Sequence, residues 1–159
     1  MNGILTIEVW KQLIFGMLGT AGFALIFHVR YRFLPLVACG GFLCWLSYLW
    51  GLSLFGQDTY FLATLLSGFV TAAFAEVFAR ICKSPSTVFF LTSIIPLIPG
   101  RPLYYFMDAI VDGSQKRAAY YGMVAFLTAL GIAVGMSMVW TICFFLRKVQ
   151  GKGSRPQAR

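Results

Sequence analysis

The sequence predicts an all-α, polytopic membrane protein with about five transmembrane helices, the fourth interrupted at 96–100. Three observations predict it. Hydrophobic residues make up 59% of the 159 positions and charged residues 11%, and the mean hydropathy is +0.79. A soluble domain this small must cover much of its surface with polar groups, and this composition cannot. The apolar residues are also gathered into five long runs rather than dispersed. Finally, the run at 87–112 has the length of a crossing but carries Pro96-Leu97-Ile98-Pro99-Gly100-Arg101-Pro102 at its centre. Each proline removes a backbone donor and crowds the carbonyl four residues back, so one uninterrupted helix is excluded. Lipid tolerates such a break only where it is buried in protein or lines a wet cavity.

The first run covers 12–29 and stops at Arg30-Tyr31-Arg32. Glu8 and Lys11 precede it, without a basic n-region or a small-residue cleavage site. It therefore reads as a retained span rather than a signal peptide. The second run, 33–55, ends at Gly56-Gln57-Asp58; the third, 60–79, is closed by Arg80 and Lys83. The interrupted run at 87–112 is the fourth, and the fifth, 118–146, ends at Arg147-Lys148. Runs of these lengths suffice for a hydrocarbon core of about 30 Å at about 1.5 Å per helical residue. They make up a single transmembrane domain over 1–149. Residues 150–159 are polar, contain glycine and proline, and read as a disordered basic cytoplasmic tail.

The net charge of +8 is distributed along the membrane edges. No basic helix face exists to carry a nucleic acid, so the bilayer is the expected partner. Arg30, Arg32, Arg80, Lys83, Arg147, Lys148, Lys152, Arg155 and Arg159 fall on one side, against Lys11, Lys116 and Arg117 on the other. Nine against three puts the N-terminus outside and the C-terminus in the cytoplasm. If the interrupted run were a re-entrant hairpin, the tail charges would move outside. The charge pattern thus prefers a full crossing. Five spans are too few, and odd in number, for a complete inverted-repeat carrier. The arithmetic suggests half of an assembly completed by a companion subunit or a second copy.

Small residues mark close helix approach: Gly16, Gly19 and Gly22 in the first run, Ser67, Gly68, Ala72 and Ala75 in the third, and Ala125, Ala129, Gly131 and Gly135 in the fifth. The last two form a GxxxG, for which ordinary membrane-helix packing is sufficient; a homo-oligomer stays open and is not assigned from it. Cys39, Cys44, Cys82 and Cys143 show no CxxC spacing, and His28 is the single histidine. The cysteines read as small buried apolar residues, with no metal and no cofactor implied. No nucleophile elbow, metal-ligand pair or phosphate loop is present, so the chain does not read as an enzyme.

Arg101 lies inside the fourth run, between Gly100 and Pro102. A helix beginning at Pro102 would present free N–H groups around Leu103 and Tyr104, and with Arg101 these suit a carboxylate. The alternative is that Arg101 snorkels to an interface or pairs with an acid. The substrate path is placed on Pro96, Pro99, Gly100, Arg101 and Tyr104. Glu76 stands one turn before Arg80 and reads as an i,i+4 ion pair or as a proton-titrating carboxylate. Asp108 is a coupling group, a partner for Arg101, or an interfacial acid near Asp112. His28 reads as an interfacial histidine ending a helix. Tyr104, Tyr105, Tyr120 and Tyr121 read as interfacial aromatics before solute contacts.

With these residues in view, the chain resembles the C-terminal membrane half of the threonine/serine exporter family. The matching features are GFALIFHV at 22–29 followed by a basic turn, CGGFLCWLSY at 39–48, and AEVFARICKSPSTVFFLTSIIPLIPGRPLYYFMDAIVDG at 75–113. The last joins an acid-bearing small-residue helix to Lys-x-Pro-x-Thr and the Pro-x-x-Pro-Gly break. The resemblance covers nearly the whole chain. It implies a small subunit of a split, two-component secondary exporter in the bacterial inner (plasma) membrane. Its solute would be a small hydrophilic metabolite: threonine, serine or a small carboxylate such as succinate. It further implies a companion membrane subunit and coupling to an ion gradient; from the residues themselves, Glu76 and Asp108 are the candidate coupling carboxylates. The family's Pro-Gly motif carries over as Pro96, Pro99 and Gly100. The competing reading is a non-transporting scaffold subunit of a membrane complex.

Overall fold

Proline, glycine and charge divide the five apolar runs into six helices. The computed structural model describes residues 7–56 and 59–152. The helices are α1 (Ile7–Ile26), α2 (Leu34–Phe55), α3 (Tyr60–Cys82), α4 (Ser86–Ser93), α5 (Gly100–Val111) and α6 (Gln115–Lys152). Short 3-10 turns at Tyr31–Phe33 and Ile95–Leu97 complete the described secondary structure. Among the described residues, four helices are long and apolar enough to cross a membrane; the pair that flanks the break, bent by 40°, makes up to five.

Local chemistry sets the ends. α1, α3 and α5 close on a residue in the left-handed region: His28 (φ 54°), Lys83 (φ 50°) and Gly113 (φ 69°). The next N–H then reaches back to the last turn, from Val29 to Ala24, Ser84 to Ala79 and Ser114 to Ala109. This pattern pairs carbonyls that a helix end otherwise leaves open. His28 is therefore a backbone cap as well as a helix-end histidine. α1 starts at Ile7 and stops at Ile26, three residues before the expected end of the run. α6 begins at Gln115 and extends to Lys152, taking in the first three positions of the expected tail; the rest of the tail, 153–159, lies outside the described residues. At about 57 Å long, α6 is longer than a hydrocarbon core of about 30 Å is thick.

Small residues decide which helices touch. On α2, a Cβ at Gly40 would strike the Ser93 hydroxyl of α4 and one at Gly41 the Thr20 hydroxyl of α1. One at Gly51 would meet the Ala63 Cα of α3 at 2.9 Å. The Ser67 hydroxyl donates to the Cys44 carbonyl at 2.6 Å, a polar bond between α3 and α2 of the kind that holds helices in an apolar medium. Between α3 and α6 the approach is backbone to backbone. A Cβ at Gly131 would lie 2.7 Å from the Phe61 carbonyl, and one at Gly135 2.5 Å from that of Leu65. The GxxxG is therefore used within the chain. In α1, by contrast, Gly19 and Gly22 have no neighbour within 4 Å of a Cβ and Gly16 only Pro96, so the glycine stripe predicted there is not a contact.

These pairings give helix directions. Gly51 meets Ala63 and Gly40 lies by Phe74, so α2 and α3 are antiparallel. Residues 61–65 of α3 meet Gly131, and 65–69 meet Gly135; α3 and α6 run parallel. Both therefore start at the same end of the bundle, and α4 with α5 carries the chain back from the end of α3 to the start of α6. Eight and twelve residues give about 12 Å and 18 Å, together about the thickness of a hydrocarbon core.

Candidate functional site

The break is built from hydrogen bonds that shorten the helix and then stop it. Pro96 has no N–H for the carbonyl of Thr92, and the chain tightens: Leu97 donates to Ile94 at 2.9 Å and Ile98 to Ile95 at 3.2 Å. Ile98 and Pro99 then leave the helical region, with ψ of 128° and 53°. The Leu103 N–H returns to the Pro99 carbonyl at 3.0 Å and α5 begins. Its first turn contains Pro102, whose missing donor would have been unpaired there in any case. α4 lies among α1, α2 and α3, whereas α5 rests on α6. The two half-helices pack on different neighbours, and a cleft lies beside the break, against α2, the start of α3, and α6.

That cleft encloses about 530 Å³. Trp45 and Tyr48 of α2, Tyr60 at the start of α3, the segment around Pro96 to Pro102, Tyr105 of α5, and Tyr120, Tyr121, Val124 and Thr128 of α6 line it. Eight residues separate Tyr120 from Thr128, so the cleft reaches about 12 Å along α6 from the bundle end where α3 and α6 begin. The volume lies in the range of small-molecule sites, roughly 300–1,000 Å³.

The path residues named from sequence divide here. Pro96, Pro99 and Arg101 line the cleft. Gly100 sits between them, with no atom within 4 Å of a Cβ and no positive φ, so neither space nor backbone requires glycine. Tyr104 does not line the cleft; it is 68% exposed, its ring edge-on to Tyr105 at 5.6 Å. The Arg101 guanidinium carbon lies 5.9 Å from the centre of the Tyr105 ring. Tyr105 stacks on Tyr121 at 5.2 Å and 30°.

Neither candidate coupling carboxylate reaches this cleft. Asp108 lies 3.4 Å and Asp112 3.5 Å from the Arg117 guanidinium, so Asp108 pairs with Arg117 and not with Arg101. These groups are half exposed, and such pairs stabilise little. Glu76 is 7% exposed and contacts Arg80 at 3.8 Å, one turn on. Together they face a separate groove between α3 and α6, which also includes Val139 and Cys143.

Sequence reasoning passed over Trp45, Tyr48, Tyr60 and Thr128 as cleft residues. Trp45 and Tyr48 lie inside a stretch already quoted for the family resemblance, but nothing local separates a cleft-facing tryptophan from a lipid-facing one. Trp45 is held by its indole N–H, which donates to Gln12 of α1 at 3.3 Å.

A sequence model of the family described as Threonine/Serine exporter, ThrE, matches residues 12–142. This chain belongs to the threonine/serine exporter family. No curated protein and no solved structure matches it. Family membership makes the chain a membrane transporter of the exporter type. The match runs from Gln12, which holds Trp45, to Ile142 on α6, and so includes the whole lining of the cleft.

Proposed function

We propose that this chain is one membrane subunit of a two-component secondary exporter. Its companion supplies the other set of spans. The solute is a small hydrophilic metabolite: threonine, serine or a small carboxylate such as succinate. The observation that carries the reading is the cleft at the Pro96–Pro99 break, of small-molecule size and lined by Arg101 and five tyrosines. The lysine and arginine distribution supports an outside N-terminus and a cytoplasmic C-terminus in the inner membrane. In that orientation the cleft faces the outer half of the bilayer. Glu76, buried at the cytoplasmic end, is then the better placed of the two carboxylates for ion coupling.

The test is efflux of labelled threonine, serine and succinate from cells expressing this chain with and without its genomic neighbour. The expected outcome is efflux of at least one solute that falls to background when either gene is omitted. Efflux of none of the three under any combination overturns the proposal and leaves the scaffold reading standing.

A further inference from the structure

Arg101 brings a fixed positive charge into the cleft, and the described structure offers it a ring in place of a counter-ion. Among the described residues no carboxylate lies within ion-pair distance of Arg101. The acid on its own helix, Asp108, and Asp112 just past the helix end are both engaged by Arg117. No aspartate or glutamate is among the described residues lining the cleft. A charge at membrane depth is costly unless something compensates it. Here the compensation is the face of Tyr105, which attracts a cation through its quadrupole.

The ring itself is held in place. Tyr105 stacks on Tyr121, and Tyr120 meets Tyr121 edge-on at 5.3 Å. Beneath the stack, α5 is seated on α6. A Cβ at Gly122 would lie 3.0 Å from the Phe106 ring, and Ala109 is fully buried. The platform thus joins two helices through rigid aromatic contacts. The guanidinium carbon lies 5.9 Å from the ring centre, and a guanidinium carries its N–H donors in a planar fork that binds a carboxylate through two hydrogen bonds.

We propose that the Tyr105–Tyr121 pair is a positioning platform for Arg101, and that the guanidinium it holds selects solutes bearing a carboxylate. This rests on the reading of the cleft as the solute path and adds to it the recognition group and its support. Arg101 contacts the solute; Tyr105 and Tyr121 act through Arg101.

The test uses membrane vesicles containing this chain and its companion, loaded with graded concentrations of labelled threonine, serine or succinate. For a solute that is carried, Arg101→Gln raises KM by about 10- to 100-fold, the loss expected for a charge-assisted hydrogen bond, while kcat changes far less. Arg101→Lys, which keeps the charge but loses the fork, gives a smaller rise. Tyr105→Leu and Tyr121→Leu each raise KM severalfold, and Tyr105→Phe, which keeps the ring face, raises it less than Tyr105→Leu. The double variant Arg101→Gln/Tyr105→Leu is no worse than Arg101→Gln, because both changes act through one group. An unchanged KM in Arg101→Gln overturns the proposal, as does additivity in the double variant. If Arg101→Gln fails to accumulate in the membrane, Arg101→Lys decides in the same way. A wild-type pair that carries none of the three solutes removes the exporter reading itself, whereas a wild-type pair that transports while Arg101→Gln matches it removes only the recognition element.

Discussion

Ser93 ends α4 one turn before the break, fully buried, and its hydroxyl is the one buried side-chain oxygen without a hydrogen-bond partner among the described residues. It lies against Gly40, where α2 and α4 cross. Leaving a buried hydroxyl unpaired is costly, and removing it loses no bond. Ser93→Ala is therefore expected to leave stability unchanged or raise it by up to about 1 kcal/mol, read as the thermal midpoint of the detergent-purified protein. A drop of several degrees would show that the hydroxyl has a partner, such as a bound water, in the folded protein. Thr92 next to it behaves in the opposite way, since its hydroxyl donates to the Val88 carbonyl at 2.6 Å. Glu76 and Asp108 show the limit of reading single residues. Spacing along a helix exposed the Glu76–Arg80 pair, because i and i+4 meet on any helix. The Asp108–Arg117 pair joins α5 to α6, and no spacing rule reports on two helices joined by a turn.

Among the helices, α3 and α6 meet backbone to backbone. Gly131 and Gly135 bring α6 against the α3 backbone at distances that admit no methyl group. Gly135→Ala would force the two helices apart, at a cost of about 1–3 kcal/mol. Gly22→Ala on α1 faces open space and removes a helix-weakening residue, so it is expected to be neutral or stabilising by up to about 1 kcal/mol. Thermal midpoints of the two variants test the contrast, and an equal effect from both would be inconsistent with this packing. The GxxxG was visible in the sequence, but its partner was not. A glycine pattern states that something approaches closely; it does not say whether that is a helix of the same chain or of another. The same limit applies to α1, where glycines spaced every third residue meet almost nothing.

For the molecule as a whole, the parallel run of α3 and α6 fixes what the interrupted segment does. Ser84, after α3, and Ser114, before α6, must lie at opposite ends of the bundle. Cysteine placed at each in a background without the native cysteines is expected to react with a membrane-impermeant maleimide from opposite faces. Ser114→Cys reacts from outside and Ser84→Cys only after the membrane is opened. Labelling of both from one face would mean a re-entrant segment. The reverse assignment of faces would overturn the orientation drawn from the charge count.

Composition, the five runs, the Pro96–Pro102 break and the basic loops determined by themselves that this is a helical membrane protein with one interrupted segment. Each follows from one-dimensional physics: apolar length against bilayer thickness, and the missing donor of proline. The family's motifs were legible for the same reason, because they lie in continuous stretches. The tertiary structure alone decided the cleft, which draws residues from α2, α3, α5 and α6 that lie up to 83 positions apart, from Trp45 to Thr128. It also decided that Arg101 meets a stacked tyrosine and that Asp108 belongs to Arg117. In an apolar solvent every helix surface looks alike in sequence, so which face meets protein is settled by close backbone approach and cross-helix polar contacts, and these exist only once the helices are packed.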